Sequence, residues 1–159
     1  MEKLLQLKER QPMLTPAQMA AMLDMSEQEV KDCIEKYTKE GIIKGYRAVI
    51  DWEKVSQNHV KALIELRVTP KKGRGFDELA QIISDMEEVE SVTLISGGYD
   101  ILVEIKAKSF QEIAMLVAKR LSSLDDVNGT ATHFVLRPYK ANGINFFDEG
   151  KDERGFDFL

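Results

Sequence analysis

Hydrophobic residues in the first fifty positions recur at spacings of three and four, which is the period of an α-helix. The clearest helix follows Ser26, and its apolar face consists of Val30, Cys33, Ile34 and Tyr37. Two shorter helices are predicted before it, at residues 1–9 and 17–22, and Pro12 ends the first of them. This part of the chain is therefore predicted to contain three helices.

Polar residues mark where the second and third helices begin. Thr15 is the predicted N-cap of the second helix and precedes a proline, which loses no hydrogen bond at a first helical position. Ser26 and Glu29 have the spacing of a capping box, and Gly41 suits a left-handed helix stop. Two short helices joined by the tight turn 23–25 are typical of a helix-turn-helix.

The outward side chains of such a third helix can enter the major groove of DNA. The candidate DNA contacts lie on this helix and just after it: Ser26, Gln28, Lys31, Lys36, Lys39, Lys44 and Arg47. Gln28 carries an amide that can read adenine edges, and the lysines can neutralise phosphates. The alternative is that these three helices form only a small helical bundle, which explains the same spacing of apolar residues without DNA binding. Lys44 and Arg47 are equally explained as solvated charges on residues 42–51, which are predicted to form a short hairpin or an extended connector.

After residue 59 the pattern changes to alternation with period two, interrupted by helical spacing. Strands are predicted at 60–68, 91–96, 101–107 and 130–138, and helices at 76–86 and 110–121. The order β-α-β-β-α-β is that of a ferredoxin-like fold, in which two helices cover one face of a sheet. The candidates for an apolar opposite face are Leu63, Leu102, and Phe134 or Val135. A second copy of the chain is expected to cover that face.

Charge and composition narrow the function without identifying it. The net charge is −5, but residues 1–50 hold eight basic and eight acidic residues, so the deficit falls in the remainder. A net charge of zero is low for a DNA-binding domain, because such domains usually carry an excess of basic residues. No apolar run approaches the roughly 18 residues that span a membrane, and the N-terminus has no secretory pattern, so a cytoplasmic protein is expected.

The sequence shows no catalytic or metal-binding constellation. Cys33 is the single cysteine, so neither an intrachain disulfide nor a cysteine-based metal cluster can form within one chain. His59 and His133 fall on separate predicted strands and are read as strand residues. The chain is therefore predicted to be no enzyme and to need no metal or cofactor.

Three segments together resemble a known family. Residues 23–26 enter the third helix, residues 41–46 leave it, and residues 92–103 read Val-Thr-Leu-Ile-Ser-Gly-Gly-Tyr-Asp-Ile-Leu-Val. The last of these is similar to the Gly-x-Tyr-Asp turn of the Lrp/AsnC family, the feast/famine transcription regulators of bacteria and archaea. Residues 130–136 resemble the last strand of that family, and the resemblance covers about residues 1–140.

The resemblance implies a regulator that binds double-stranded DNA, a dimer built by sheet-to-sheet packing and often assembled into octamers, and an amino-acid effector between dimers. The residues that it places around the effector are Gly97, Gly98, Tyr99, Asp100, Thr130 and Thr132. Adjacent glycines leave backbone N–H groups open to a carboxylate, and an aspartate can hold an ammonium group. The alternative is a tight hairpin turn that needs the glycines for its geometry.

The third helix departs from the family pattern, which usually has several arginines there. Asp32, Cys33 and Glu35 occupy the matching stretch, and acids near phosphates lower DNA affinity. An amino-acid sensor of the same fold with weak or no DNA binding is therefore the alternative function.

The predicted organisation is a winged-helix-like helix-turn-helix domain at 1–50, a linker at 51–58, an effector-sensing and oligomerisation domain at 59–140, and a tail at 141–159. The tail has five acidic residues and four phenylalanines. Its acidity is typical of disorder, and its aromatic rings are available to dock on a neighbouring subunit.

Overall fold

The computed structural model describes residues 2–55, 59–69 and 75–147. The chain divides into two compact units. The first contains residues 1–50 together with residues 140–145, and the second contains residues 51–139 and continues from residue 146.

Three helices form the first unit: α1 (Glu2–Arg10), α2 (Pro16–Leu23) and α3 (Glu27–Lys39). Both predicted caps are present. Thr15 forms a capping box with Gln18, and Ser26 forms one with Glu29. The turn between α2 and α3 places Asp24 in the left-handed conformation, at φ 54°. The buried core of this unit consists of Leu4, Met19, Ala20, Val30 and Tyr37.

The end of α3 follows the predicted stop. Gly41 adopts φ +68°, and the backbone N–H groups of Ile42 and Ile43 both donate to the carbonyl of Tyr37. Residues 44–50 form no strand, so the structure shows the extended connector rather than the hairpin.

A hairpin of the first unit comes instead from the C-terminal part of the chain. Strands β5 (Lys140–Ala141) and β6 (Ile144–Asn145) pair around Asn142 and Gly143, which have φ 48° and 81°. Asn-Gly favours such a turn because both residues tolerate positive φ. Residues 141–145 are therefore structured where the sequence predicted a tail, and residues 148–159 lie outside the described part of the chain.

The second unit has the predicted ferredoxin-like order. Its elements are β1 (Val60–Val68), α4 (Phe76–Ser84), β2 (Val89–Leu94), β3 (Ile101–Ala107), α5 (Phe110–Leu116) continued by a π-helical turn (Val117–Leu121), and β4 (Val127–Phe134). The antiparallel sheet has the order β2-β3-β1-β4. The α+β prediction is confirmed. The last strand begins earlier than predicted, because Val127 and Gly129 pair with Val68 and Arg67 of β1, with the register shift between these two pairs.

The two faces of the sheet differ in character. Along β1, Ala62, Ile64 and Leu66 are fully buried, whereas Leu63 and Glu65, which point to the other face, are half-buried. Helices α4 and α5 contribute Leu79, Ile83, Ile113, Leu116 and others to the same core. The second face, which we call the open sheet face, presents Lys61, Leu63, Glu65, Arg67, Leu102, Glu104 and His133.

The structure corrects one predicted member of the open sheet face. The ring of Phe134 packs edge-on against the ring of Phe110 in α5, with centroids 4.8 Å apart. Phe134 therefore lies on the helical side of the sheet. Val135, the predicted alternative to Phe134, follows on the other side of the strand, and its backbone N–H donates to the carbonyl of Lys61. Leu63, Leu102 and Val135 are therefore the predicted residues that lie on the open sheet face.

Candidate nucleic-acid interface and effector cavity

Helix α3 presents a surface in which each lysine has an acidic neighbour one turn away. Lys31 pairs with Glu27 at 2.6 Å, Lys39 with Glu35 at 2.8 Å, and Lys36 with Glu40 at 3.9 Å. Gln28 follows the same rule, because its Nε2 donates to Asp32 Oδ1 at 2.8 Å. The candidate DNA contacts of this helix are thus exposed and mutually balanced in charge.

These pairs affect the proton affinities of their members. The hydrogen bond and the charge of Lys39 lower the pKa of Glu35, and Glu35 in turn raises the pKa of Lys39. At the start of the helix, side-chain and backbone hydrogen bonds from Ser26 lower the pKa of Glu29. Ser26 Oγ donates to Glu29 Oε2 at 2.7 Å, so this candidate DNA contact also holds the first turn of the helix.

The two candidates beyond α3 lie on the connector. The side chain of Lys44 bends back toward Gly41. Its Nζ lies 3.1 Å from the position that a Cβ atom on Gly41 would occupy. Arg47 is exposed in the segment that forms no strand. Both cations therefore belong to the first unit but not to its helices.

In the second unit, the turn 95–100 connects β2 and β3, and its aspartate is anchored to the backbone. Asp100 Oδ2 accepts a hydrogen bond from the backbone N–H of Val68 at 2.7 Å. The backbone N–H of Asp100 donates to the Leu66 carbonyl, and its carbonyl accepts from Ile95. Asp100 therefore ties the turn to the end of β1, and one of its carboxylate oxygens is already occupied.

The glycines of this turn are open to solvent. Gly97 and Gly98 are exposed, and a Cβ atom built on either of them would meet nothing within 4 Å. Packing within the chain therefore leaves their backbone groups accessible.

A small cavity of about 210 Å³ lies beside this turn. Its lining residues are Glu65, Arg67, Tyr99, Gly129, Thr130 and Ala131. The structure thus brings together Tyr99 and Thr130, two of the six predicted effector residues. Gly97, Gly98, Asp100 and Thr132 do not line the cavity.

Two charged residues of this cavity were not among the residues predicted from the sequence. Glu65 and Arg67 occupy successive outward positions of β1, so charges at alternate positions of a predicted strand were the available signal. A guanidinium group can hold a carboxylate through two parallel hydrogen bonds, and a carboxylate can hold an ammonium group. Glu65 Oε1 also lies 3.2 Å from His133 Nε2.

A second charged cluster occupies the open sheet face. Lys61 Nζ lies 2.9 Å from carboxylate oxygens of both Glu90 and Glu104, which come from β2 and β3. Partial burial alone lowers the pKa of Lys61, but its hydrogen bonds to Glu104 and Glu90 outweigh burial and raise the pKa. The apolar residues Leu63 and Leu102 share the face with this cluster.

His59 and Cys33 have packing roles. The ring of His59 packs edge-on against Trp52 at 4.2 Å, and Cys33 contacts the core of the first unit. Over residues 2–55, 59–69 and 75–147, no three histidine, cysteine or acidic side chains are grouped to hold a metal ion. The helices in these ranges are all too short or too polar to cross a membrane.

A model of the Lrp/AsnC ligand binding domain matches residues 61–144, which is more than half of the chain. The chain belongs to the Lrp/AsnC family. The uncharacterized HTH-type transcriptional regulator YugG of Bacillus subtilis is 46% identical over 136 residues, covering 85% of this chain and 81% of the relative. This Lrp/AsnC protein is therefore an HTH-type transcriptional regulator and not an enzyme.

Solved structures agree on the fold. AsnC of E. coli superposes with a TM-score of 0.65 at 18% identity, covering 87% of this chain and 91% of the other. A transcriptional regulator of Neisseria meningitidis in complex with L-Met superposes with a TM-score of 0.69 at 21% identity, covering 87% of this chain and 89% of the other. At these identities the likeness establishes the shared architecture alone.

Proposed function

We propose that this Lrp/AsnC regulator binds double-stranded DNA through α3 as a homodimer or larger assembly, and that a bound amino acid changes its assembly or its DNA affinity. The observation that carries this proposal is an exposed helix held at its start by a capping box, in a chain whose second unit has the fold of a ligand-binding domain. Such a regulator acts in the cytoplasm, where the cell's DNA is accessible.

The proposed DNA contacts are the exposed polar residues of α3 and the connector: Ser26, Gln28, Lys31, Lys36, Lys39, Lys44 and Arg47. Pairing two copies would present two α3 helices to successive major grooves, about one helical turn apart. The ion pairs within α3 do not prevent this, because exposed pairs contribute at most about 1 kcal/mol and their lysines can turn to phosphates.

For the effector we propose the cavity beside Tyr99. Arg67 would hold the carboxylate of an amino acid and Glu65 its ammonium group, while Tyr99 and Thr130 enclose the side chain. Gly97, Gly98, Asp100 and Thr132 do not line this cavity, and they are proposed to meet the ligand only if a neighbouring subunit closes over the turn. A ligand that favours one assembly over another shifts the population toward it.

The proposed dimer forms through the open sheet face. Leu63 and Leu102 would be covered by the partner, and an interface of this kind is isologous, with the same patch used by both copies. Further association of dimers into an octamer is compatible with an effector cavity at the end of the sheet.

Fluorescence anisotropy of the DNA upstream of the protein's own gene, titrated with the full chain at low and moderate salt, tests DNA binding. We expect tight binding at low salt, weakened as salt rises, because phosphate contacts release counterions. Gln28→Ala should relax sequence preference, whereas Arg10→Gln on α1 should leave the affinity unchanged. Absence of binding at low salt contradicts the proposal.

One observation favours the alternative, a sensor of this fold with weak DNA binding: every lysine of α3 already faces an acidic partner. A thermal-shift screen of the free amino acids separates the two functions, since a ligand that binds only the folded state raises the melting temperature. A shift that Arg67→Met removes and Arg10→Met preserves, together with no DNA binding, would establish the sensor.

A further inference from the structure

The chain enters the second unit through a short turn that carries one large aromatic ring. Residues Trp52–Lys54 form a 3₁₀ turn, in which the backbone N–H groups of Lys54 and Val55 donate to the carbonyls of Asp51 and Trp52. Trp52 is half-buried, whereas the three residues that follow it are exposed. This otherwise exposed part of the predicted linker therefore buries its one ring, which belongs to the single tryptophan of the chain.

The Trp52 ring contacts two residues that belong to different strands of the second unit or lie next to them. The ammonium group of Lys106, near the end of β3, lies 4.0 Å from the ring centroid. The ring of His59, just before β1, packs edge-on against it at 4.2 Å. Tryptophan is the aromatic side chain that attracts a cation most strongly. The linker turn is therefore anchored to the sheet through its ring.

The same turn is joined to the segment through which the chain leaves the second unit. Glu53 Oε2 lies 3.9 Å from Arg137 Nε, and the guanidinium carbon of Arg137 lies 5.7 Å from the centroid of the Tyr139 ring. After Tyr139 the chain forms the hairpin of the first unit, and it returns at Phe146, whose backbone N–H donates to the Tyr139 carbonyl at 3.0 Å. Arg137 therefore contacts both segments at which the chain passes from one unit to the other.

These contacts determine how much of the linker is free. With Trp52 anchored, the chain is part of the second unit from Asp51 onward, whereas without the anchor the sheet begins to hold it only at Val60. Residues 51–59 reach at most about 30 Å when extended. Successive major grooves on one side of DNA are about 34 Å apart. Release of the ring therefore frees a length of chain comparable to one helical turn of DNA, with the hairpin as the remaining connection about which the first unit can turn.

We propose that Trp52 is a positioning residue for DNA binding. Anchored by Lys106 and His59, it limits the spacings at which the first units of two paired chains reach their half-sites. This role rests on the proposed DNA binding by a dimer, and it concerns the spacing of half-sites rather than the reading of bases. A longer free tether lowers the effective concentration of the second half-site, so its release weakens binding to a pair of half-sites more than binding to one.

The anchor itself is measured without DNA, because the fluorescence of the full chain comes from Trp52 as its single tryptophan. Lys106→Ala removes the cation and the aliphatic stem beside the ring, and we expect the acrylamide quenching constant of Trp52 to rise about twofold. Lys106→Arg keeps a cation on a long stem and should restore the protection. Lys119→Ala, which removes an exposed lysine of the same unit, is the control and should leave quenching unchanged.

The role in DNA binding is measured on the DNA upstream of the protein's own gene, after footprinting has located its half-sites. Fluorescence anisotropy compares this duplex, a single half-site, and the duplex with about five base pairs inserted between the half-sites, which turns one of them by half a helical turn. We expect the insertion to weaken binding by the wild-type protein about tenfold and binding by Trp52→Ala no more than about twofold. The affinity for the single half-site should be the same in both proteins.

Three further variants show whether the effect belongs to the anchor. Trp52→Tyr keeps a ring that attracts a cation and should retain the wild-type response to the insertion. Lys106→Ala keeps the tryptophan and should show the response of Trp52→Ala in smaller degree, so the test does not depend on one variant. Phe110→Ala is the matched control, because it removes another ring of the second unit that packs edge-on against an aromatic neighbour. Its response to the insertion should equal that of the wild type.

The proposal is overturned if Lys106→Ala leaves the quenching of Trp52 unchanged, because Lys106 then does not cover the ring. It is also overturned if Trp52→Ala responds to the insertion as the wild type does, or if Trp52→Ala loses as much affinity for the single half-site as for the pair. A wild-type protein that binds none of the duplexes contradicts the proposed function and this role with it, whereas a normal response to the insertion in Trp52→Ala contradicts this role alone.

Discussion

The outer surface of α3 and the open sheet face both carry ion pairs, but the pairs are built differently. On α3 each pair joins residues four positions apart, as in Lys39 and Glu35, whose side chains are 75% and 66% exposed. On the sheet, Lys61 reaches Glu90 and Glu104 from other strands, and Glu90 is only 13% exposed. One set is local and solvated, and the other joins distant parts of the chain.

The difference indicates which charges are free to change partners. Solvated pairs within one helix contribute little to stability, so exchanging a carboxylate for a DNA phosphate costs little. A half-buried cluster across three strands loses more when one member is removed, because the remaining charges stay partly desolvated. We therefore expect substitutions on α3 to change DNA binding, and substitutions on the open sheet face to change stability or assembly.

The largest effect is expected from a charge placed at the apolar part of the open sheet face. Leu63→Glu should weaken the proposed dimer about 100-fold or more, since an unpaired charge buried in an interface costs several kcal/mol. Light scattering after size exclusion measures this effect. Ile82→Glu, on the exposed side of α4, is the matched control. A Leu63→Glu variant that keeps its oligomeric state would show that the sheet face is not the interface.

Removal of the cation from the sheet cluster should have the next largest effect. Lys61→Met leaves Glu90 and Glu104 close together without their shared partner. We expect the free energy of unfolding to fall by about 1–2 kcal/mol after allowance for solvent screening. Urea denaturation measures it. Lys106→Met, on the neighbouring strand, is the control because its ammonium lies over a tryptophan ring rather than between carboxylates. If Lys61→Met and Lys106→Met lower the free energy of unfolding equally, the contacts of Lys61 with the two carboxylates do not stabilise the sheet more than the contact of Lys106 with the ring.

The cap of α3 should contribute about 1 kcal/mol. Ser26→Ala removes the side-chain hydrogen bonds to Glu29 and should lower the stability of the first unit by that amount, whereas Ser84→Ala in α4 should change stability less. The pKa of Glu29 is lowered in the folded protein, so its stabilisation is present above its ordinary value of 4.5 and is lost as the pH falls below it. The effect of Ser26→Ala should therefore shrink in acid. A constant effect across that range would contradict this assignment.

The smallest effect on stability, with a gain in function, is expected on α3. Glu35→Gln should leave the melting temperature nearly unchanged and raise DNA affinity a few-fold at low salt, because Lys39 is then released for a phosphate. Glu78→Gln on α4 is the control. Anisotropy titrations at two salt concentrations measure the effect. Unchanged affinity would indicate that Lys39 does not contact DNA.

Much of the architecture could be predicted because its signals are local. A capping box needs residues three positions apart, a helix face repeats at three and four, and a strand alternates at two, so Ser26, Gly41 and the core side of β1 were predictable from their neighbours. The order of elements then favoured one antiparallel sheet with its helices on one face.

The remaining features depend on residues far apart in the chain, and only the folded structure brings them together. Strand pairing decides that Glu65 and Arg67 join Tyr99 and Thr130, and that Lys61 lies between Glu90 and Glu104. The contact between Phe134 and Phe110 shows on which side of the sheet that aromatic ring lies, and the hairpin at 140–145 joins the first unit across most of the chain length. Local sequence specifies backbone conformation through nearby hydrogen bonds and sterics, whereas a cavity is created by register and packing, which no short window of sequence contains.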